Sequence, residues 1–295
     1  MDWFWSFPHM GDDRLRALRL AIDDGFRTFT RSYGGPIESF FEPLLVFLIQ
    51  SERLLLSTPW PVVILVIAGI AWAVSRNWKI VATSVITLLL IGYFDMWDDT
   101  MRTVSIILVC TLLAIIVGIP VGILMSRSNR IQSLVTPVLD VMQTMPSFVY
   151  LIPVVMLLGI GRVPGVIAVV IYAIPPVIRL TNLGIRVVDR EVLEAADAFG
   201  SSGWQKLTKV QLPLALPTIM AGINQTIMMA LAMVVIASMI GVQGLGQPVL
   251  RAINNQYFTM GVFNGLAIVG IAIIFDRISQ AYGHRLQEHR KALND

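Results

Sequence analysis

The residue types that ordinarily carry catalysis are present in this chain but are not assembled. His9, His284 and His289 are its only histidines; they sit near the termini, without metal-ligand company. The single Cys110 lies in an apolar run, which leaves no intrachain disulfide and no cysteine-based metal site. Ser147 and Asp140 form no triad by sequence, because such residues are too common to define one without geometry. A phosphate cradle needs G-x4-G-K-[ST], and no such segment occurs. The run Gly241-Val242-Gln243-Gly244-Leu245-Gly246 is glycine-rich but follows an apolar segment rather than a strand and contains no lysine. It is predicted to be an extracellular turn, with a binding loop as the alternative. The chain is therefore expected not to be an enzyme, to bind no cofactor or metal, and to leave any ATP hydrolysis to another subunit.

What stands out instead is DREVLEAADAFGSSGWQKLTKVQLP at 189–213, a charged stretch between long apolar segments. Asp189 is placed to cap a helix with Glu191 in its first turn, favourable against the dipole. Val192, Ala196 and Phe199 then share one face by their i, i+4, i+7 spacing. Gly200 follows where a left-handed turn would end that helix. Ser201 or Ser202 starts a second short helix through Trp204 and Leu207, predicted to end before Pro213. Two short helices would thus meet at a glycine and present Phe199 and Trp204 amid charges. Aromatic anchors rimmed by charge mark partner-binding surfaces, and a protein partner is expected here rather than a solvated linker.

The elements that position this loop are read from composition. The chain has 295 residues, 56% hydrophobic and 14% charged, against roughly 25% charged in a soluble domain; its mean hydropathy is +0.73. Stretches 54–75, 103–126, 141–161, 212–250 and 252–275 carry no Asp, Glu, Lys or Arg, each long enough to cross about 30 Å of hydrocarbon. An all-α integral membrane protein follows: a polytopic bundle of about seven transmembrane helices, near 59–75, 80–94, 101–125, 138–160, 163–182, 214–240 and 258–278. Residues 37–57 are apolar but interrupted by Glu38, Glu42, Glu52 and Arg53, more like an interfacial helix than a span. The expected order is a polar tail plus that helix over 1–58, two accessory helices over 59–94, a core over 95–282 and a tail over 283–295. MDWFWSFPHMGDD has no basic n-region before an apolar core, so no cleaved signal peptide is predicted.

Basic residues set the orientation. With the N-terminus outside, thirteen Lys and Arg from Arg76 to Lys291 fall inside, and only Arg102, Arg162 and Arg251 fall in outer loops. This places 183–213 and the C-terminus in the cytoplasm. The six arginines from Arg14 to Arg53 argue the other way, and the conflict disappears if 37–57 spans the bilayer. The net charge of +3 is spread over short loops and points to no nucleic acid.

Several polar or kinking residues admit two readings. Pro146, Pro153, Pro164, Pro175, Pro176, Pro213 and Pro217 either mark helices that line a cavity or belong to kinked packing. Asn224 and Gln225 belong either to a translocation path or to helix–helix contact. Asp276-Arg277 is expected to anchor the interface. Asp95, Asp98 and Asp99 are read as depletion of positive charge outside rather than as a cation attractor. Tyr150, Tyr172 and Phe148 could form a cation–π cage, but packing is the ordinary role of such residues and no cage is assigned.

Glu194-Ala195-Ala196, three residues, Gly200, nine residues, Val210-x-Leu212-Pro213 resembles the EAA loop of ABC importer permeases, with Val210 in place of the usual isoleucine. Residues 143–186 and 221–250 are similar to permeases of the glycine betaine/proline betaine (ProW-like) group, which also serves choline. The resemblance covers about residues 100–280. It implies a type I permease core of five helices and a coupling helix seated in a groove of a cytoplasmic ATPase subunit. It further implies an extracytoplasmic substrate-binding protein, a second copy of the chain, and residence in the bacterial inner membrane. The substrate implied is glycine betaine or proline betaine, with choline or carnitine as alternatives. From another class, an ion-coupled secondary transporter would require inverted halves and mid-bilayer carboxylates, and neither is evident.

Overall fold

The computed structural model describes residues 10–294, with side chains through residue 283; His9 and the side chains of His284, His289, Arg285, Arg290 and Lys291 lie outside the described residues. The described chain is helical throughout: α1 Asp12–Ser57, α2 Trp60–Ser75, α3 Trp78–Tyr93, α4 Trp97–Arg127, α5 Asn129–Thr144, α6 Ser147–Leu158, α7 Arg162–Ala173, α8 Pro175–Arg186, α9 Arg190–Ala198, α10 Gly203–Gln205, α11 Leu212–Ala237, α12 Gly246–Asn255 and α13 Phe258–Asn294. A π-helical turn Lys206–Gln211 joins α10 to α11.

All seven apolar segments expected to span are helical, but they are not seven equivalent rods. Four stretches, Trp97–Arg127, Arg162–Arg186, Gly203–Ile240 and Phe258–Gly283, are long and apolar enough to cross alone, or up to six counting two bent pairs. The expected span 138–160 is broken: α5 and α6 meet at 101°. Proline chemistry explains the break. Met145, preceding Pro146, is extended with φ −70 and ψ 131, because the proline ring excludes the helical region for its predecessor. Helix α3 has sixteen residues, about 24 Å of rise, and is short for a span.

The polar tail expected over 1–36 is helical from Asp12 onward, running through Pro36 and Pro43 at the loss of one ladder bond each. Contacts along it determine how it lies. A Cβ on Gly34 would stand 3.3 Å from the Leu157 carbonyl. Eighteen residues later, Glu52 pairs with Arg162 at 2.7 Å and Arg102 at 3.5 Å. Leu157, Arg102 and Arg162 all belong to the ends of core helices away from the 189–213 loop. A helix touching that end at points about 27 Å apart lies along it rather than through the bundle. After Ser57 the chain turns by 106° into α2, which carries no charged residue.

The core is α4, α8 and α11 in close contact. Cβ atoms at Gly118, Gly122 and Gly222 would stand 2.4 Å from Val177, 2.6 Å from Thr181 and 3.0 Å from Leu180. At Gly184 the nearest atom would be Thr218 Cβ, 3.0 Å away. All four contacts lie between α8 and its two neighbours. Lipid tails are as apolar as leucine, so membrane helices associate through such close packing of small residues. Gly122→Ala is expected to destabilise the detergent-solubilised protein by about 1–3 kcal/mol through overpacking, whereas Gly69, with nothing within 4 Å, should tolerate alanine. Thermal unfolding of both variants checks this; equal midpoints would contradict the packing.

Candidate coupling site on the cytoplasmic loop

Local chemistry shapes the loop much as its sequence predicts, with two differences. The Asp189 side chain accepts from the Glu191 amide at 3.0 Å and starts α9. Gly200 takes φ 74, its amide donating to Asp197 O at 2.9 Å while the Ser201 amide donates to Ala196 O at 3.0 Å. This paired closure of orphan carbonyls is the Schellman arrangement. Ser202 then opens α10 with a reciprocal cap involving Gln205.

The first difference is the second helix, which does not end at Pro213. It continues as one helical rod from Gly203 to Ile240, and Pro213 occupies the first turn of α11. The π turn is the physical reason: the Leu212 amide reaches back to Leu207 O, opening the backbone just where proline brings no N–H and needs room. The second difference is the face of α9. Ala196 is buried, while Val192 is 41% and Phe199 90% exposed, so these three do not form one buried stripe.

The two-helix cap is fastened to the spans. Lys206 Nζ reaches both carboxylate oxygens of Asp197, one at 2.7 Å. Leu207 is 1% exposed and packs with Ile185, Ala215 and Ile219. Arg127 donates to Gly203 O at 3.2 Å, and Arg186 donates to Met125 O at 2.8 Å and to Asn182 at 3.0 Å. Glu194, Ala195 and Pro213 face outward, Val210 and Leu212 are half-buried, and Trp204 is 67% exposed. Phe199 and Trp204 thus stand on a cap held by one ion pair, arginine hydrogen bonds and an apolar plug. Such a cap can transmit displacement to α8 and α11 but offers no acid, base or nucleophile in a cleft.

The residues with two readings separate. Asn224 donates to Asp276 Oδ1 at 2.8 Å and accepts from Ser279, so it ties α11 to α13; Asp276 also accepts from Gln280 at 2.7 Å. Gln225 is exposed. Pro164, Pro175 and Pro176 are buried in packing, whereas Pro146 and Pro153 lie exposed on the α5–α6 face. Tyr150 packs edge-on to Tyr172 at 5.9 Å, donates its hydroxyl to Met142 O and is buried, while Phe148 points outward; they form no cage. Asp98 and Asp99 sit in the first turn of α4, where the helix dipole favours them.

The glycine-rich run has a structural role too. Val242 is 1% exposed and lies over Gly165, where a Cβ would meet it at 2.0 Å. Gln243 accepts from Arg162 at 2.7 Å. The Leu245 amide donates to Thr103 Oγ1 at 2.9 Å. Sequence reasoning missed the polar cluster this completes, Glu52 with Arg102, Arg162 and Gln243. Its only trace was a glutamate in an apolar run and two of the three outer arginines.

Fold and site together define a helical membrane protein whose 189–213 cap is packed onto the ends of its apolar helices. The family described as "Binding-protein-dependent transport system inner membrane component" matches residues 111–288. The chain belongs to this family, the translocation subunits of ABC importers. It is 52% identical to the glycine betaine/carnitine transport permease protein GbuB of Listeria monocytogenes, over 77% of this chain and 81% of that one. It is 44% identical to the glycine betaine transport system permease protein OpuAB of Bacillus subtilis, over 91% and 95%. With the glycine betaine/proline betaine permease protein ProW of Escherichia coli it shares 52% identity over 79% of its length, spanning 65% of that protein. In fold it matches a chain of the MetNI methionine ABC transporter in an inward-facing form, with TM-score 0.57 and 18% identity over 65% of this chain and 95% of that one.

Asn224→Ala is expected to cost about 1–3 kcal/mol by leaving Asp276 and Ser279 short of a partner. Gln225→Ala should stay within about 0.5 kcal/mol. Unfolding of both variants in detergent measures the difference, and equal losses would contradict the assignment of Asn224 to the α11–α13 contact.

Proposed function

We propose that this chain forms the translocation path of an ATP-driven importer for quaternary ammonium compounds, glycine betaine or proline betaine first, in a bacterial cytoplasmic membrane. Its partners are cytoplasmic ATPase subunits, an extracytoplasmic binding protein and a second copy of itself. Residues 189–213 receive the ATPase, with Phe199 and Trp204 as anchors and Glu194, Ala195, Ala196, Gly200, Val210, Leu212 and Pro213 shaping the cap. One observation carries this reading: the segment with the EAA spacing is a fastened two-helix cap with two large aromatic side chains left uncovered. The substrate class rests on the relatives' names, which include glycine betaine in GbuB, ProW and OpuAB. ATP itself binds on the partner, and closure of the ATPases would pull the cap and, through Leu207, the cytoplasmic ends of α8 and α11.

Co-purification with its ATPase subunit tests the cap. Trp204→Ala should weaken ATPase association about thirtyfold, the scale of one interface anchor. Gly200→Asp and Glu194→Lys should leave the protein in the membrane but abolish stimulation of ATP hydrolysis by substrate-loaded binding protein. Unchanged uptake of glycine betaine by all three variants in proteoliposomes would sink the assignment.

A further inference from the structure

A second recognition feature lies away from the cap, on the lipid-facing side of the accessory helices. A cleft of about 410 Å³ opens at the cytoplasmic end of α3 and α13. Its polar wall is Asn77, Lys79, Thr83 and Arg277, its floor Ile273 and Ile274, and no carboxylate lines it. Neither Lys79 nor Arg277 forms an ion pair among the described residues, and both side chains are exposed. The carboxylate nearest in sequence, Asp276, is engaged by Asn224 and Gln280. The Asn77 oxygen accepts from the Lys79 amide at 2.9 Å, which leaves its NH2 group to donate. Trp78, 71% exposed, stands beside Lys79 in the position of a headgroup-level aromatic anchor.

Beyond this cationic mouth the seam between the same two helices is apolar. Ile273 also borders a second cleft of about 340 Å³, lined by Leu90, Phe94, Phe263, Leu266 and Val269 among others. The two helices close together between these residues, where a Cβ on Gly270 would meet Thr87 at 2.6 Å. From Lys79 to Leu90 along α3 is about 16 Å, close to half of a hydrocarbon layer of about 30 Å. A cationic, donor-rich mouth at the inner interface and an apolar track one leaflet long are complementary to one molecule that has both parts.

We propose that this seam binds an anionic phospholipid of the inner leaflet, its phosphate held by Lys79, Arg277 and Asn77 and an acyl chain laid between α3 and α13. Basic clefts between membrane helices on the cytoplasmic side recognise such headgroups through charge and hydrogen bonds. The site depends on the orientation of the chain but not on its substrate or its ATPase.

Native mass spectrometry of the detergent-purified chain, titrated with phosphatidylglycerol or with phosphatidylcholine of the same acyl chains, tests this. Phosphatidylglycerol should bind about thirtyfold more tightly, the factor expected from two basic side chains near an anionic group. Lys79→Gln combined with Arg277→Gln should erase the preference, while Arg130→Gln, an equal charge change elsewhere on the cytoplasmic side, should keep it. An excess of inorganic phosphate should not displace the lipid. Equal binding of the two lipids would overturn the proposal, as would a preference that survives the double variant or falls equally with Arg130→Gln. Displacement by phosphate would mark a plain anion site instead, and no lipid uptake at all would mark a face covered by a second copy.

Discussion

Backbone-level contact between α8 and its two neighbours is the constraint on which the rest of the molecule depends. Gly118 and Gly122 on α4, Gly184 on α8 itself and Gly222 on α11 remove the side chains that would hold these helices apart. In a bilayer there is no hydrophobic gain in bringing apolar helices together, so contact must come from close packing. Once α8 is held on both sides, its C-terminal end is positioned, with Arg186 on the Met125 carbonyl near the end of α4. The cap at 189–213 hangs from that end and from α11. A displacement of the cap therefore acts on two helices that already touch.

The two membrane faces are fastened differently. On the 189–213 side, one apolar plug, Leu207, and one ion pair, Lys206 with Asp197, fix a cap whose Phe199 and Trp204 are exposed. On the outer side, Glu52 draws together Arg102 and Arg162, which brings α1 onto α4 and α7, and Gln243 extends the cluster to the turn after α11. Buried carboxylates of this kind are tolerable only when paired. This pairing accounts for one of the four charges in 37–57, and for a long N-terminal helix lying along one end of the bundle.

Much of this was legible in the residues, for identifiable reasons. The apolar runs announce helices because length and missing charge suffice. Asp189, Gly200 and Ser202 announce caps because those positions demand particular side chains or φ values. What could not be read depended on contacts distant in sequence. Pro146 breaks one expected span, whereas Pro213 and Pro217 sit in a continuous helix, and the residue type is the same in each case. The difference lies in the π turn before Pro213 and in what each segment packs against. Asn224 and Gln225 are adjacent and similar in type, yet only Asn224 meets Asp276. Glu52 looked like a mark of an interfacial helix, but its arginine partners are fifty and one hundred and ten residues away.

In the proposed importer Phe199 and Trp204 face the ATPase. Placing a photo-activatable phenylalanine analogue at Phe199, at Trp204 and, on the opposite end of the molecule, at Tyr93 tests it most directly, in membranes that contain all the subunits. Cross-links to the ATPase are expected from the first two positions and none from Tyr93. An ATPase left unlabelled from both Phe199 and Trp204, or labelled from Tyr93, would contradict it.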